Sequence, residues 1–188
     1  MKLYYTVSSY QDTPQQNIGL SLGGYRSSTF VRNDEMNNLF GDISLLSLKQ
    51  NRSQYIAIMM KNELDVVAVN VRLFFSFPMP TQCIYQLAAV IPTKDSDGND
   101  VMERTETIYS KPMYGTFVSP TEQSPAIIGD MQPGQQIGLW ICRSLDLDAA
   151  MEEYNDVAEP DPTFTLGKRY KKKVQNTEDN VNLNIFWD

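Results

Sequence analysis

The pattern of apolar and polar positions along the chain predicts strands, and it is clearest from Gln54 to Pro78. Tyr55-Ile56-Ala57-Ile58-Met59-Met60 is apolar on both faces, which predicts a strand lying mid-sheet. Farther on, Val67, Val69, Val71, Leu73, Phe75 and Phe77 occupy alternate positions, with Asn70, Arg72 and Ser76 between them. Side chains of a strand alternate between faces, so this second strand has one apolar face and one wet face. The turn Lys61-Asn62-Glu63-Leu64-Asp65 joins the two into a predicted hairpin, and Pro78 and Pro80 end it.

The same alternation predicts further strands. Leu3, Tyr5 and Val7 mark a first strand, and Ser28 to Val31 a short one. Gln82 to Ile91 places Cys83, Tyr85, Leu87, Ala89 and Ile91 on one face. Glu103 to Ser110 and Tyr114 to Val118 read as short strands, and Pro120 to Pro133 as a loop with Ile127 and Ile128 tucked inward. Gln136 to Arg143 turns Ile137, Leu139 and Ile141 one way and Trp140 and Cys142 the other. Val181, Leu183, Ile185 and Trp187 form a last half-buried strand. Gly19, Gly23 and Gly24 predict bends, and Leu39 and Phe40 a turn that plugs the core. Asp146 to Tyr154 reads as a short helix. The predicted fold is all-β: one β-sandwich domain over 1–188, Ig-like or jelly-roll-like, with a helix-and-loop insertion or arm at about 145–178. The expected core contains Val67, Val69, Val71, Leu73, Ile137, Leu139, Ile141, Leu183 and Ile185.

Composition narrows the chemistry. The chain of 188 residues contains no histidine, which removes Ser-His-Asp, Cys-His and histidine-zinc arrangements. No catalytic residue, metal ligand set or cofactor site is expected. Cys83 and Cys142 are read as two buried, reduced thiols rather than a disulfide. Asp95-Ser96-Asp97-Gly98-Asn99-Asp100 resembles a calcium loop, but its glycine is fourth instead of sixth and no EF-hand glutamate follows, so a hairpin turn is preferred. Glu152 and Glu153 are adjacent on a predicted helix and point apart, which suits a surface rather than glycoside cleavage. Trp140 and Tyr85 are read as core rather than as sugar-stacking rings. The net charge of −7 opposes non-specific nucleic-acid binding. The first seven residues are too short and polar for a signal peptide, and no apolar run approaches the ~20 residues of a membrane span.

Five blocks carry a resemblance. They are Ser21-Leu22-Gly23-Gly24-Tyr25-Arg26-Ser27-Ser28-Thr29, Met36-Asn37-Asn38-Leu39-Phe40-Gly41-Asp42-Ile43-Ser44, Gln54-Tyr55-Ile56-Ala57-Ile58-Met59-Met60-Lys61-Asn62, Val69-Asn70-Val71-Arg72-Leu73-Phe74, and Ile128-Gly129-Asp130-Met131-Gln132-Pro133-Gly134 running to Trp140-Ile141-Cys142-Arg143. In order and spacing they resemble a family of tailed-bacteriophage virion structural proteins with an "SLGG" segment, an "LNNLFDxVS" segment, a "YRCVYVKN" strand, an aliphatic strand ending in an aromatic, and a "GxLxxGxxxGIWIRR" strand. The resemblance implies a non-enzymatic part of a phage particle, made in the host cytoplasm. Its expected place is a ring or adaptor of the neck or tail, of crAss-like type, with copies of itself and neighbouring virion proteins as partners. The alternative is a sandwich on a fibre or capsid that binds a surface glycan.

The expected contact lies in the C-terminal third. Asp146, Asp148, Glu152 and Glu153 belong to an acidic stretch without a basic residue, and Lys168, Arg169, Lys171, Lys172 and Lys173 to a basic run without an acidic one. The acidic stretch runs to Asp161, with only six residues before Lys168, and the proline-containing connector is extended, so the expectation is that the acidic arm of one subunit meets the basic run of the next, or that this third of the chain contacts an adjacent virion protein.

Overall fold

The computed structural model describes residues 1–9, 11–32, 38–41, 52–77, 83–145 and 181–188. The described chain is all-β, in two antiparallel sheets that face each other as a β-sandwich. The strands are β1 (Lys2–Val7), β2 (Gly24–Phe30), β3 (Gln54–Lys61), β4 (Ala68–Ser76), β5 (Cys83–Val90), β6 (Thr93–Lys94), β7 (Asp100–Met102), β8 (Ala126–Met131), β9 (Gln136–Leu145) and β10 (Asn182–Phe186). A large sheet runs β5-β9-β3-β1-β2-β7-β6, and a small one runs β10-β4-β8.

β3 lies inside the large sheet, and every residue from Gln54 to Met60 is buried. Ile56, Ile58 and Met60 face the small sheet and, with Ile137, Leu139 and Ile141 of the neighbouring β9, form one core with Val71, Leu73 and Phe75 of β4. Tyr55, Ala57 and Met59 face the other way and form a second core with Tyr4, Trp140, Cys142 and Met102. The segment between β7 and β8 closes this second core: Phe117 sets its edge on Tyr55, with ring centroids 5.6 Å apart. A strand apolar on both faces is thus one covered on both faces. Leu73→Ala, in the shared core and fully buried, is expected to cost ~2–5 kcal/mol, measured by urea unfolding.

β3 and β4 do not form a hairpin. Each joins a different sheet, and the turn between them crosses the sandwich. Asn62 makes that crossing possible. Fully buried, it donates its side-chain amide to the Val66 and Met131 carbonyls and accepts from the Leu64 N–H.

The register of β4 also departs from strict alternation. Its pairing with β8 slips between Ala68 and Val71, and Asn70 adopts a left-handed φ of 54°. This β-bulge inserts one residue, so Ala68 and Val71 both face inward although three apart. Val67 and Val69, expected in the core, are therefore turned out. Asn tolerates left-handed backbone, and the Asp130 carboxylate accepts the Asn70 N–H at 2.9 Å. Val69→Ser is accordingly expected to change stability by less than about 0.5 kcal/mol, against more than about 2 kcal/mol for Val71→Ser; equal effects in chemical unfolding would refute the bulge.

Other expectations shift in smaller ways. Ala126–Met131 is a strand rather than loop, with Ile128 packed on the core but Ile127 exposed. Residues 103–110 are not a strand; the Ile108 carbonyl takes the Tyr55 N–H instead. Residues 114–118 contribute one isolated bridge, Val118 to Leu87. Ala89 and Ile91 are exposed, and Phe77 is partly so. Leu183 and Ile185 pack on the core but stay half-buried, because β10 is an edge strand. Cys83 and Cys142 are buried on opposite faces of the large sheet, so no disulfide joins them. The helix expected at Asp146–Tyr154, and the rest of the arm at 145–178 beyond Leu145, lie outside the described residues.

Candidate interaction surface

Sequence blocks that are far apart in the chain meet in buried joints. Arg143, at the end of β9, is 7 % exposed and has no carboxylate partner among the described residues. Its Nε and Nη2 both donate to Gln54 Oε1, at 3.1 and 2.6 Å, and Nη2 also donates to the Gly41 carbonyl at 2.6 Å. Its guanidinium lies 4.7 Å from the Phe40 ring centroid. Phe40 in turn meets Tyr85 edge-on at 6.3 Å, so the Leu39-Phe40 turn does plug the core. The second joint is Ser21. Its hydroxyl accepts the Thr6 N–H at 2.8 Å and donates to the Ala57 carbonyl at 2.6 Å, while its own carbonyl takes the Ala57 N–H. Ser21 thereby ties β1 to the part of β3 that β1 does not pair with. These groups are spent on one another and on the backbone.

A third polar cluster lies beside β1. Tyr4 donates its hydroxyl to Glu63, and Lys2 reaches Glu63 at 3.1 Å. Burial, then the Glu63 carboxylate, pushes the Tyr4 phenol up to about 12 from an ordinary 10.0. The folded state thus holds this proton more tightly than the unfolded chain. The stabilisation is complete below pH 10 and is lost as the pH rises toward about 12. An alkaline melting series should show that loss in the wild type and a smaller one in Tyr4→Phe.

The sequence-derived sites divide clearly. Asp95 Oδ1 accepts the N–H groups of Asp97 and Asn99 at 2.9 and 2.8 Å, and its Oδ2 accepts the Asn99 amide. Its carboxyl is held below the usual range, chiefly by the Asn99 N–H. The segment is the hairpin turn between β6 and β7, with Gly98 at φ 81°. Among the described residues no three acidic, histidine or cysteine side chains group closely enough to hold a metal ion. Trp140 and Tyr85 are interior. Asp146, Asp148, Glu152, Glu153, Lys168, Arg169, Lys171, Lys172 and Lys173 all lie outside the described residues.

One outward surface of the described chain with apolar side chains is the far face of the small sheet. Phe186, Arg72 and Ile127 stand in one cross-strand row, since Phe186 pairs with Arg72 and Arg72 with Ile127. Phe186 is 50 % exposed and Ile127 64 %. Phe74 stacks on Phe186 with centroids 5.3 Å apart and planes 8° apart, and Val69 is exposed at the turned-out bulge. Arg72 is paired with Asp188 at 3.1 Å, and Asn70 donates to the same carboxylate. Asn182, Asn184 and Ser76 border the patch. An apolar centre with arginine, ringed by small polar residues, has the make-up of a protein contact surface. Alternation points to Phe74 and Phe186 as an outward pair. Val69 and Ile127 escape that reading because bulges reverse them. No helix among the described residues is long and apolar enough to cross a membrane. No family model, curated protein or solved structure matches the chain.

Proposed function

We propose that this chain is a non-enzymatic structural protein of a tailed-phage particle, a ring or adaptor subunit of the neck or tail. The observation that carries the reading is where the resembling blocks fall. Ser21 bonds Ala57, Arg143 bonds Gln54 and Gly41, and Asn62 bonds Met131, so residues from separate blocks are joined by buried hydrogen bonds. Such blocks support a rigid scaffold, not a reaction. The exposed apolar face gives that scaffold a surface for assembly.

The acidic and basic stretches of the C-terminal third add a charged contact between subunits. Exposed pairs contribute less than ~1 kcal/mol each, so they set register while apolar surface supplies affinity. Changing Lys171, Lys172 and Lys173 together to Glu should impair particle or ring assembly while the subunit stays folded, as read by sedimentation and circular dichroism. Normal assembly of the triple variant would place the charged contact elsewhere.

The glycan-binding alternative draws on the Phe74–Phe186 pair. Those rings stack on each other, which spends one face of each and leaves less platform for a sugar. Saturable binding of a defined polysaccharide that Phe186→Ala abolishes would favour that alternative.

A further inference from the structure

We infer that Ser110 to Phe117 is a strap over the second core that opens by itself while the two sheets stay folded. The inference goes beyond the virion reading and holds or fails without it.

The connection from β7 to β8 runs from Met102 to Ala126 without a strand. Connections longer than about 15 residues without structure of their own are uncommon in compact domains and are often lids or binding loops. This one has two fixed points. The Ile108 carbonyl takes the Tyr55 N–H at 2.6 Å, and Val118 and Leu87 exchange backbone bonds at 2.8 and 2.9 Å. Between them, no backbone group from Ser110 to Phe117 pairs with a strand among the described residues.

What holds the strap down is local. The Glu103 carboxylate acts as a clasp: it accepts the Met113 N–H at 2.9 and 3.0 Å and the Tyr114 N–H at 3.0 Å. Phe117 sets its edge on Tyr55. Gly115, at φ 104°, rests so closely on Ala88 and Val90 that a Cβ would come within 3.0 Å of both side chains. Met113 and Tyr114 are 79 % and 65 % exposed, so they add little burial. A segment with few buried contacts and exposed hydrogen bonds opens at a fraction of the global unfolding free energy.

What lies beneath favours opening. Trp140 is fully buried in the second core, and its indole N–H has no partner among the described residues. A buried donor without an acceptor is unfavourable, and access to water relieves it. Trp140 stands opposite Ala88 across β9 and β5, and Gly115 rests on Ala88, so lifting the strap uncovers this pair.

The chain carries its own reporter. Cys142 shares the second core with Phe117, whereas Cys83 lies in the core between the sheets. Burial pushes the Cys142 thiol up, with the Tyr55 and Ser53 hydroxyls and the strap's Lys111 acting against it, so the closed form is unreactive.

The test is alkylation of the full chain by iodoacetamide, read at each cysteine by mass spectrometry, at urea concentrations below the unfolding transition. Cys142 of the wild type should react at a rate that hardly changes with urea, because a local opening exposes little surface. Glu103→Ala removes the clasp at a half-buried residue. It should speed Cys142 at least about tenfold and leave Cys83 and the urea midpoint nearly unchanged. Glu103→Gln keeps one acceptor oxygen and should fall between. Reaction of Cys142 with the urea dependence of global unfolding, or equal acceleration of both cysteines by Glu103→Ala, would overturn the inference.

Discussion

Gly23→Ala is expected to destabilise the protein by at least about 2 kcal/mol, and to prevent folding if the remaining stability is small. Gly23 has φ 92°, a region that L side chains rarely adopt, and a Cβ there would overlap the Glu103 carbonyl oxygen. The obstacle is backbone, which no side-chain rearrangement relieves. The surrounding hydrogen bonds amplify the loss. The Gly23 N–H is donated to Thr6 Oγ1, and Thr105 N–H reaches the neighbouring Leu22 carbonyl. Moving Gly23 would pull on Ser21 as well, and Ser21 joins β1 to β3. By contrast, Gly134→Ala, at φ 76° with open space around it, meets strain without overlap and should cost only about 1–2 kcal/mol. Thermal melts of the two variants separate overlap from strain alone.

The second large effect is expected at Arg143. Arg143→Ala should cost roughly 3–5 kcal/mol, because it deletes charge-assisted hydrogen bonds to Gln54 and Gly41, removes the cation from Phe40, and leaves a cavity at the end of the sheet. Arg143→Lys should recover little. One ammonium cannot reproduce the planar fork that reaches Gln54 through two nitrogens while also contacting Gly41. If the lysine variant melts like the wild type, the joint is held by charge alone and the geometry described here does not matter. Gln54→Ala should approach the arginine variant, since it leaves a buried guanidinium with the Gly41 carbonyl as its remaining described acceptor.

Strands that lie deep in the large sheet were legible from residue type because burial on both faces leaves an unbroken apolar run. β3 and β9 are of this kind, and their alternate residues divide between the two cores as their parity requires. Pairing was less legible. Alternation says which way a side chain faces but not which strand lies alongside, so nothing in Gln54 to Pro78 announced that β3 and β4 part into different sheets. The buried Asn62 is the one residue whose chemistry marks that crossing. One left-handed residue, Asn70, reverses the faces of Val67 and Val69, and a second slip near Gly129 in β8 accompanies the exposure of Ile127. The outer surface of the small sheet was therefore half visible: Phe74 and Phe186 follow from alternation, whereas Val69 and Ile127 depend on bulges that no local pattern encodes. At residues 103–110 the alternation was real but local. No strand is described beside that segment, and its backbone serves the edge of β3 instead.

As a passive, assembling part of a phage particle, the role proposed above, the chain would be carried in the particle itself. The most direct measurement is quantitative mass spectrometry of density-purified particles from cells in which the chain is made during infection. On the proposed role, the chain is expected in those particles at a fixed copy number relative to the capsid protein, retained after washing at high salt. A chain abundant in the infected cells but missing from the purified particles would contradict it.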